Sequence, residues 1–448
     1  MRKVSTVVLM IIAMIASFEV GRRHDTAKHD EHPTEIDSQG GLPRWQVTSN
    51  SEKPSLSAAF EGFMQAQRHA LEIYRQSPYF ESSLGEAEAY RSLLYTVIGS
   101  IKAGALTDPN QPRFMRAVDW TSKAGLENPD NNYYIAFIDD QGVYRMSGYR
   151  GSTADMVVQL VAGQPGVGDA GTSRNISIVY GDHLIVDASG YFEILIGGPD
   201  PGPEHNWMAN GDGAESLFVR FTHADWTRET HLPLAIERLD SDGRPSPPLS
   251  TDMMIRGLDR TARSIFDRTV TWVDYANNRM WANAPRNGLS APRATQGGMV
   301  GQYSAFGSFD LTEGDALLVE FQPTNAPYFG MQLGNLWFTS LEYESHTSSL
   351  NHSQLACDSA SLCQVVISEQ DPGITNWLDT EGHQQGLIFL RWQGLEALPS
   401  GTQAPTVRRI KLAELGAHLD TSTVRMSPQE RRDQQASRRA AVHRRFGG

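Results

Sequence analysis

Ile138-Asp139-Asp140-Gln141-Gly142-Val143-Tyr144 has the form of a tight hairpin: an apolar strand end, an aspartate that opens the turn, a glycine, and an aromatic residue on the returning strand. The form recurs at Val186-Asp187-Ala188-Ser189-Gly190-Tyr191-Phe192. Two such turns predict antiparallel β structure, with each glycine supplying a positive φ. Asp139 and Asp187 are then explained by turn chemistry before any catalytic role.

Outward from these turns, period-two alternation begins at Asn132 and continues through expected strands at 216–222 and 232–238. Gly243, Pro245, Pro247 and Pro248 break the chain, and helical spacing returns from Met253 to about Asn277 as a bridging helix. Compact apolar runs at 316–321, 328–333 and 386–392 then predict a second β region. Upstream, Leu56, Phe60, Phe63, Met64, Leu71 and Tyr74 form one helical stripe, capped by Ser55. Tyr90, Leu93, Leu94, Val97 and Ile101 form a second, expected to pack inward.

The expected fold is mainly β with helical additions: antiparallel β-sandwich or jelly-roll modules, a helical N-terminal region and a bridging helix. The expected organisation is an export segment (1–24), linker (25–54), helical region (55–110), first β module (111–240), linker and bridging helix (241–299), C-terminal β module (300–415) and basic tail (416–448). The tail, with Arg431, Arg432, Arg438, Arg439, Arg444 and Arg445, reads as a solvated helix or disordered appendage.

The 448 residues are 40% hydrophobic and 20% charged, enough for a large core. The net charge of −13 argues against a nucleic-acid surface, which needs concentrated Lys and Arg. Small molecules or glycans are the expected partners; the sequence leaves the oligomeric state open. Arg2 and Lys3 precede an apolar stretch from Val4 to Phe18, too short for a comfortable membrane span. It reads as an export signal, cleaved or retained as an inner-membrane anchor, for a periplasmic or otherwise exported protein. The two cysteines, Cys357 and Cys363, flank turn-forming residues and are expected to form a disulfide in an oxidising compartment.

No Gly-x-Ser-x-Gly, His-Glu-x-x-His, phosphate-binding glycine loop or zinc-type His/Cys spacing occurs, so neither metal nor cofactor is expected. His205, His223, His231 and His383 read as ordinary hydrogen-bonded or surface residues instead of ligands. Three polar clusters stand out. Around Asp130, Tyr144, Arg145 and Arg150 form a candidate carboxylate or sulfate clamp, with an Arg–Asp structural network as the alternative. From Asp371 to Trp392, alternation puts Arg391 and Trp392 on opposite strand faces, and Asp379 is the carboxylate expected to pair with Arg391. Asn206-Trp207 echoes Asn376-Trp377, both after Pro/Gly-rich turns, and such pairs suit a ligand cleft or a hydrophobic plug equally.

Asn128-Pro129-Asp130-Asn131, Tyr144-Arg145 with Gly148-x-Arg150-Gly151, and Asp371-Pro372-Gly373-x-x-Asn376-Trp377-Leu378-Asp379-Thr380 with Gly382, Gly386 and Arg391-Trp392 resemble the bacterial domain-of-unknown-function family 1214. The resemblance implies exported β-sandwich modules with helical additions and carries over no catalytic residue. The expected function is binding or transforming a small amphipathic molecule or glycan in a cleft between the β modules. Carboxylate chemistry at Asp379 or Asp130 with Arg391 is the only mechanism the inventory offers an enzyme. The alternative is a non-catalytic structural or interaction protein of the cell envelope.

Overall fold

Both aspartate turns form, but not as the expected hairpins: the strands flanking the first, Asn131–Phe137 and Tyr144–Tyr149, and those flanking the second, Arg174–Tyr180 and Tyr191–Ile196, lie in different sheets and do not pair with each other. Asp139 accepts the Gln141 amide through its side chain (2.9 Å) and the Gly142 amide through its carbonyl (3.0 Å). Asp187 holds the Ser189 and Tyr191 amides, and Gly190 takes φ 82°. Gly142, against expectation, does not have a positive φ. A side chain there would collide with the Tyr144 ring, whose hydroxyl folds back to accept the Asp139 amide and donate to the Pro109 carbonyl.

The structure, a computed structural model, describes residues 43–45 and 55–447 apart from 169–172, 242, 244, 296–300 and 358–361. The expected export segment and most of the linker lie outside these residues.

The first β region is a sandwich of two sheets. One runs β1 (Met115–Val118), β2 (Asn131–Phe137), β8 (Ala214–Thr222), β4 (Asp155–Ala162), β5 (Arg174–Tyr180). The other runs β7 (Asn206–Met208), β6 (Tyr191–Ile196), β3 (Tyr144–Tyr149), β9 (Ala235–Arg238). All pairings are antiparallel except β6 with β7. Alternate residues of both sheets, among them Met146, Phe192, Ile194, Leu160, Val219 and Phe221, fill the space between them.

The second sandwich repeats this plan. Its sheets run β10 (Gly288–Leu289), β12 (Tyr303–Asp310), β18 (Gln385–Gln393), β14 (Tyr328–Gly334), β15 (Ser349–Asn351), and β17 (Trp377–Asp379), β16 (Cys363–Ser368), β13 (Asp315–Phe321), β19 (Thr406–Lys411). A two-residue strand, β11 (Arg293–Ala294), adds to β12. Setting β11 aside, the strands correspond one for one in chain order, including the single parallel pair, β16 with β17. The fold is an internal duplication.

Helices fill one flank and the seam. α1 (Leu56–Arg75), capped by Ser55, and α2 (Ser83–Gly104) pack on α3 (Thr251–Asp274). Leu93 and Val97 of α2 pack inward, but Tyr90 and Leu94 are exposed, because Ala89, Ser92 and Ser100 make the closer approaches. α3 continues into a π-helical turn, Tyr275–Trp281, set against Phe306, Leu387 and Phe389 on the outer face of the second sandwich.

The basic tail is not a solvated appendage. It forms α4 (Pro428–Gly447) and buries Arg431, Arg438 and Arg445, seven residues apart and hence on one helical face. Arg431 pairs with Asp371 (2.9 Å) and lies over Trp377. Arg438 and Arg445 both pack on Trp226, 4.5 and 4.3 Å from the ring centroid, and bond the carbonyls of Tyr343 and Pro129 respectively. Backbone carbonyls and aromatic faces replace water around these cations. Burial lowers Arg438 to about 10, which leaves it charged at neutral pH. Arg432, Arg439 and Arg444 are the exposed arginines.

Candidate functional site

The Asn-Trp pairs do not share a cleft. They are the same structural staple in the two repeats. Asn376 donates to the carbonyls of Ala356 (3.1 Å) and Gln364 (3.1 Å) and accepts the Ala356 amide (2.8 Å). Asn206 donates to Ile185 (2.9 Å) and Glu193 (2.9 Å) and accepts the Ile185 amide (2.8 Å). Each thereby ties a loop to the strand its own strand pairs with in parallel. The following indole completes the staple: Trp377 donates to the Ser368 carbonyl (3.0 Å) and Trp207 to Gly197 (3.1 Å), in both cases two residues past its strand partner. In the second repeat the tied loop carries the Cys357–Cys363 disulfide.

The expected Asp379–Arg391 pair does not form, because Asp379 on β17 and Arg391 on β18 belong to different sheets of the sandwich and have other partners. Trp392 enters the sandwich core while Arg391 points to the seam, where it stacks on Phe389 (4.3 Å) and reaches the Leu126 carbonyl (3.5 Å). Its counterpart in the first repeat is Arg220, which lies over Phe218 as Arg391 lies over Phe389. Burial, with Arg391 contributing, lowers the pKa of Arg220. Asp130 is no open carboxylate either. It is buried and accepts Trp226 (2.6 Å), Asn351 (2.7 Å) and Tyr328, joining the two sandwiches. The expected clamp is dispersed as well: Tyr144 is buried, Arg145 pairs with Glu237, and Arg150 bonds Thr153 (3.1 Å).

Polar groups and open space coincide elsewhere, at the turn from β17 to β18. Glu381 (φ 55°) and Gly382 (φ 76°) are successive positive-φ residues, closed by the His383 amide on the Thr380 carbonyl (2.9 Å), as in a type I′ turn. Asp379 holds the strained Glu381 by accepting its amide (2.8 Å). The other Asp379 oxygen bonds Nδ1 of His346 (2.7 Å); this bond raises the His346 pKa. Past the turn, His383 donates Nδ1 to Thr380 (2.8 Å) and meets Glu88 of α2 through Nε2 (3.1 Å). Burial opposes both charges most strongly, yet the partners outweigh it: Glu88 is held below its ordinary range and His383 above. Tyr79 donates to the second Glu88 oxygen (2.8 Å), and burial with that negative charge pushes its phenol far up.

Two clefts flank this turn. One, of about 340 Å3, is walled by Tyr79, Leu84, Asn277, Trp281 and Leu336. The other, of about 270 Å3, is walled by Thr312, Glu313, Glu369, Gln370 and Thr380, and His383 and Gln384 line both. The π-helical turn presents Trp281, whose ring also carries the Arg286 guanidinium, 3.2 Å from its centroid. Such turns are rare and concentrate at functional sites. With both nitrogens committed as donors, His383 fixes the turn and is unavailable as a base.

Sequence reading passed over Tyr79, Glu88, Trp281 and His346 and took His383 for an ordinary residue. The one available signal was His383 beside Gly382, since Glu88 stands between Glu86 and Arg91 and looks like any surface helix charge. The two are 295 positions apart in the chain, and no local pattern joins them.

No protein-family profile matches the chain, and no curated protein matches it. Among solved structures, an uncharacterized protein from Burkholderia cenocepacia is similar, with a TM-score of 0.72 and 26% identity over 80% of this chain and 98% of that one. A protein from Vibrio parahaemolyticus aligns over 80% of this chain and all of its own at 10% identity, with a TM-score of 0.40, too low to carry an argument. The established likeness is thus one of architecture, to a protein that is itself uncharacterized.

Proposed function

We propose that this is a binding protein for a small polyhydroxylated molecule such as a glycan fragment, held beside the Thr380–His383 turn. The site lies between the helical flank and the second sandwich instead of between the β modules. One observation carries this reading: a π-helical turn sets Trp281 into a cleft whose wall joins apolar Leu84 and Leu336 to Tyr79, serines, amides and an imidazole. An indole wall suits the apolar face of a sugar, while amides and hydroxyls serve its rim. Binding is favoured over catalysis because Asp379, Asp130 and Arg391 are all engaged in holding the fold.

On the same reading the chain is a member of domain-of-unknown-function family 1214, supported by the Asp371–Trp392 residues. It is also an exported periplasmic protein, for which the disulfide in an oxidising compartment is the support. Saturation-transfer NMR with neutral oligosaccharides tests the binding. Contact at the sugar ring protons is expected, lost at least tenfold in affinity in Trp281→Ala with the melting temperature kept within a few degrees. Undiminished binding by that variant would sink the proposal.

A further inference from the structure

The two clefts differ in charge. In the second, Asp315 is consumed by Arg409, Lys411 and Thr312, and these contacts hold its carboxyl far below the usual range. Glu313 and Glu369 are exposed and make no ion pair among the described residues. Thr380 lines the same cleft, is wholly buried, and leaves Oγ1 without a hydrogen-bond partner. A buried hydroxyl without a partner is costly, and a ligand polar group would relieve it. His383 adds little net positive charge here, since Glu88 neutralises it. The cleft therefore offers two free carboxylates with an unused hydroxyl in its wall, and His383 and Gln384 are shared with the aromatic cleft.

We propose that the ligand is an aminated oligosaccharide, with a sugar ring against Trp281 and a protonated amine in the second cleft between Glu313 and Glu369. This rests on the sugar-binding reading above and names the substituent that distinguishes the true ligand. An ammonium satisfies two carboxylates and a hydroxyl at once through its three donors. An acetylated amine would present neither the charge nor the three donors.

Calorimetric titration of the full chain in mildly acidic buffer, with equal-length oligomers of glucosamine, N-acetylglucosamine and glucose, tests this. The glucosamine oligomer is expected to bind five- to tenfold tighter than the other two, the gain typical of partly exposed ion pairs. The double variant Glu313→Gln/Glu369→Gln is expected to remove that preference and leave the affinity for the glucose oligomer unchanged. Equal affinity of wild type for all three oligomers would overturn the amine assignment while leaving the sugar-binding reading standing. Binding of none would overturn both. A preference that appears only with added calcium would also overturn it, by giving the carboxylates to a metal ion.

Discussion

Asn376 and Asn206 each satisfy three backbone groups that would otherwise be orphaned where a loop meets a strand. Removing one strands buried donors and acceptors, each worth about 1 kcal/mol. Asn376→Ala is expected to cost about 2–4 kcal/mol, read by urea unfolding, and Asn206→Ala less, because its site is more exposed. An unchanged midpoint for Asn376→Ala would contradict the structural assignment. Two histidines set the acid limit. Burial, with nearby Arg445 and Arg116, lowers His223 to about 2 and His231 to about 4, against ~6.5 in an unfolded chain. Depressed values mean that the unfolded state binds protons first, so their stabilisation is complete above ~6.5 and lost as pH falls toward 4. His383, raised by Glu88, acts oppositely: its contribution is whole below ~6.5 and fades as pH rises through its folded value. Stability should therefore be greatest above ~6.5 and fall by roughly 2–4 kcal/mol between pH 7 and pH 5. His223→Gln/His231→Gln should flatten that acid limb in a melting series; an equally steep limb would contradict the assignment.

Among the elements, α4 departs furthest from what the sequence conveyed. Six arginines in a Gln- and Ala-rich stretch read as a solvent-facing helix, since isolated cations avoid burial. The seven-residue spacing of Arg431, Arg438 and Arg445 becomes meaningful only beside Asp371, Trp377 and Trp226, which lie far from the tail in the chain. The aspartate turns and α1 were legible because their signals are local, a side chain capping an amide two or three residues away, whereas which strands pair across the turns was not. The Arg431–Asp371 pair tests the docking of α4. Arg431 is almost wholly buried, so Arg431→Met and Asp371→Asn should each lower the melting temperature by several degrees. Together they should cost less than their sum, with a coupling of about 1–2 kcal/mol. Additive losses would mean that the pair is incidental.

At the scale of the whole molecule, the duplicated order of strands explains why Asn206-Trp207 echoed Asn376-Trp377 and why Arg220 and Arg391 both ride on a phenylalanine two residues earlier. The echo was visible in the sequence, but its cause was not, since one repeated dipeptide and one Phe-x-Arg are too little to reveal a repeat. The family-like residues from Asp371 to Asp379 thereby become fold determinants, and the open clefts lie just beyond them. Hydrogen–deuterium exchange of the full chain, with and without saturating glucosamine oligomer, tests that location most directly. The account predicts slowed exchange at Pro78–Glu81, Tyr275–Trp281 and the amides of 380–385, with none at Asn206–Met208 or around Asp130. Protection centred on the seam between the sandwiches, with none at the Thr380–His383 turn, would contradict it.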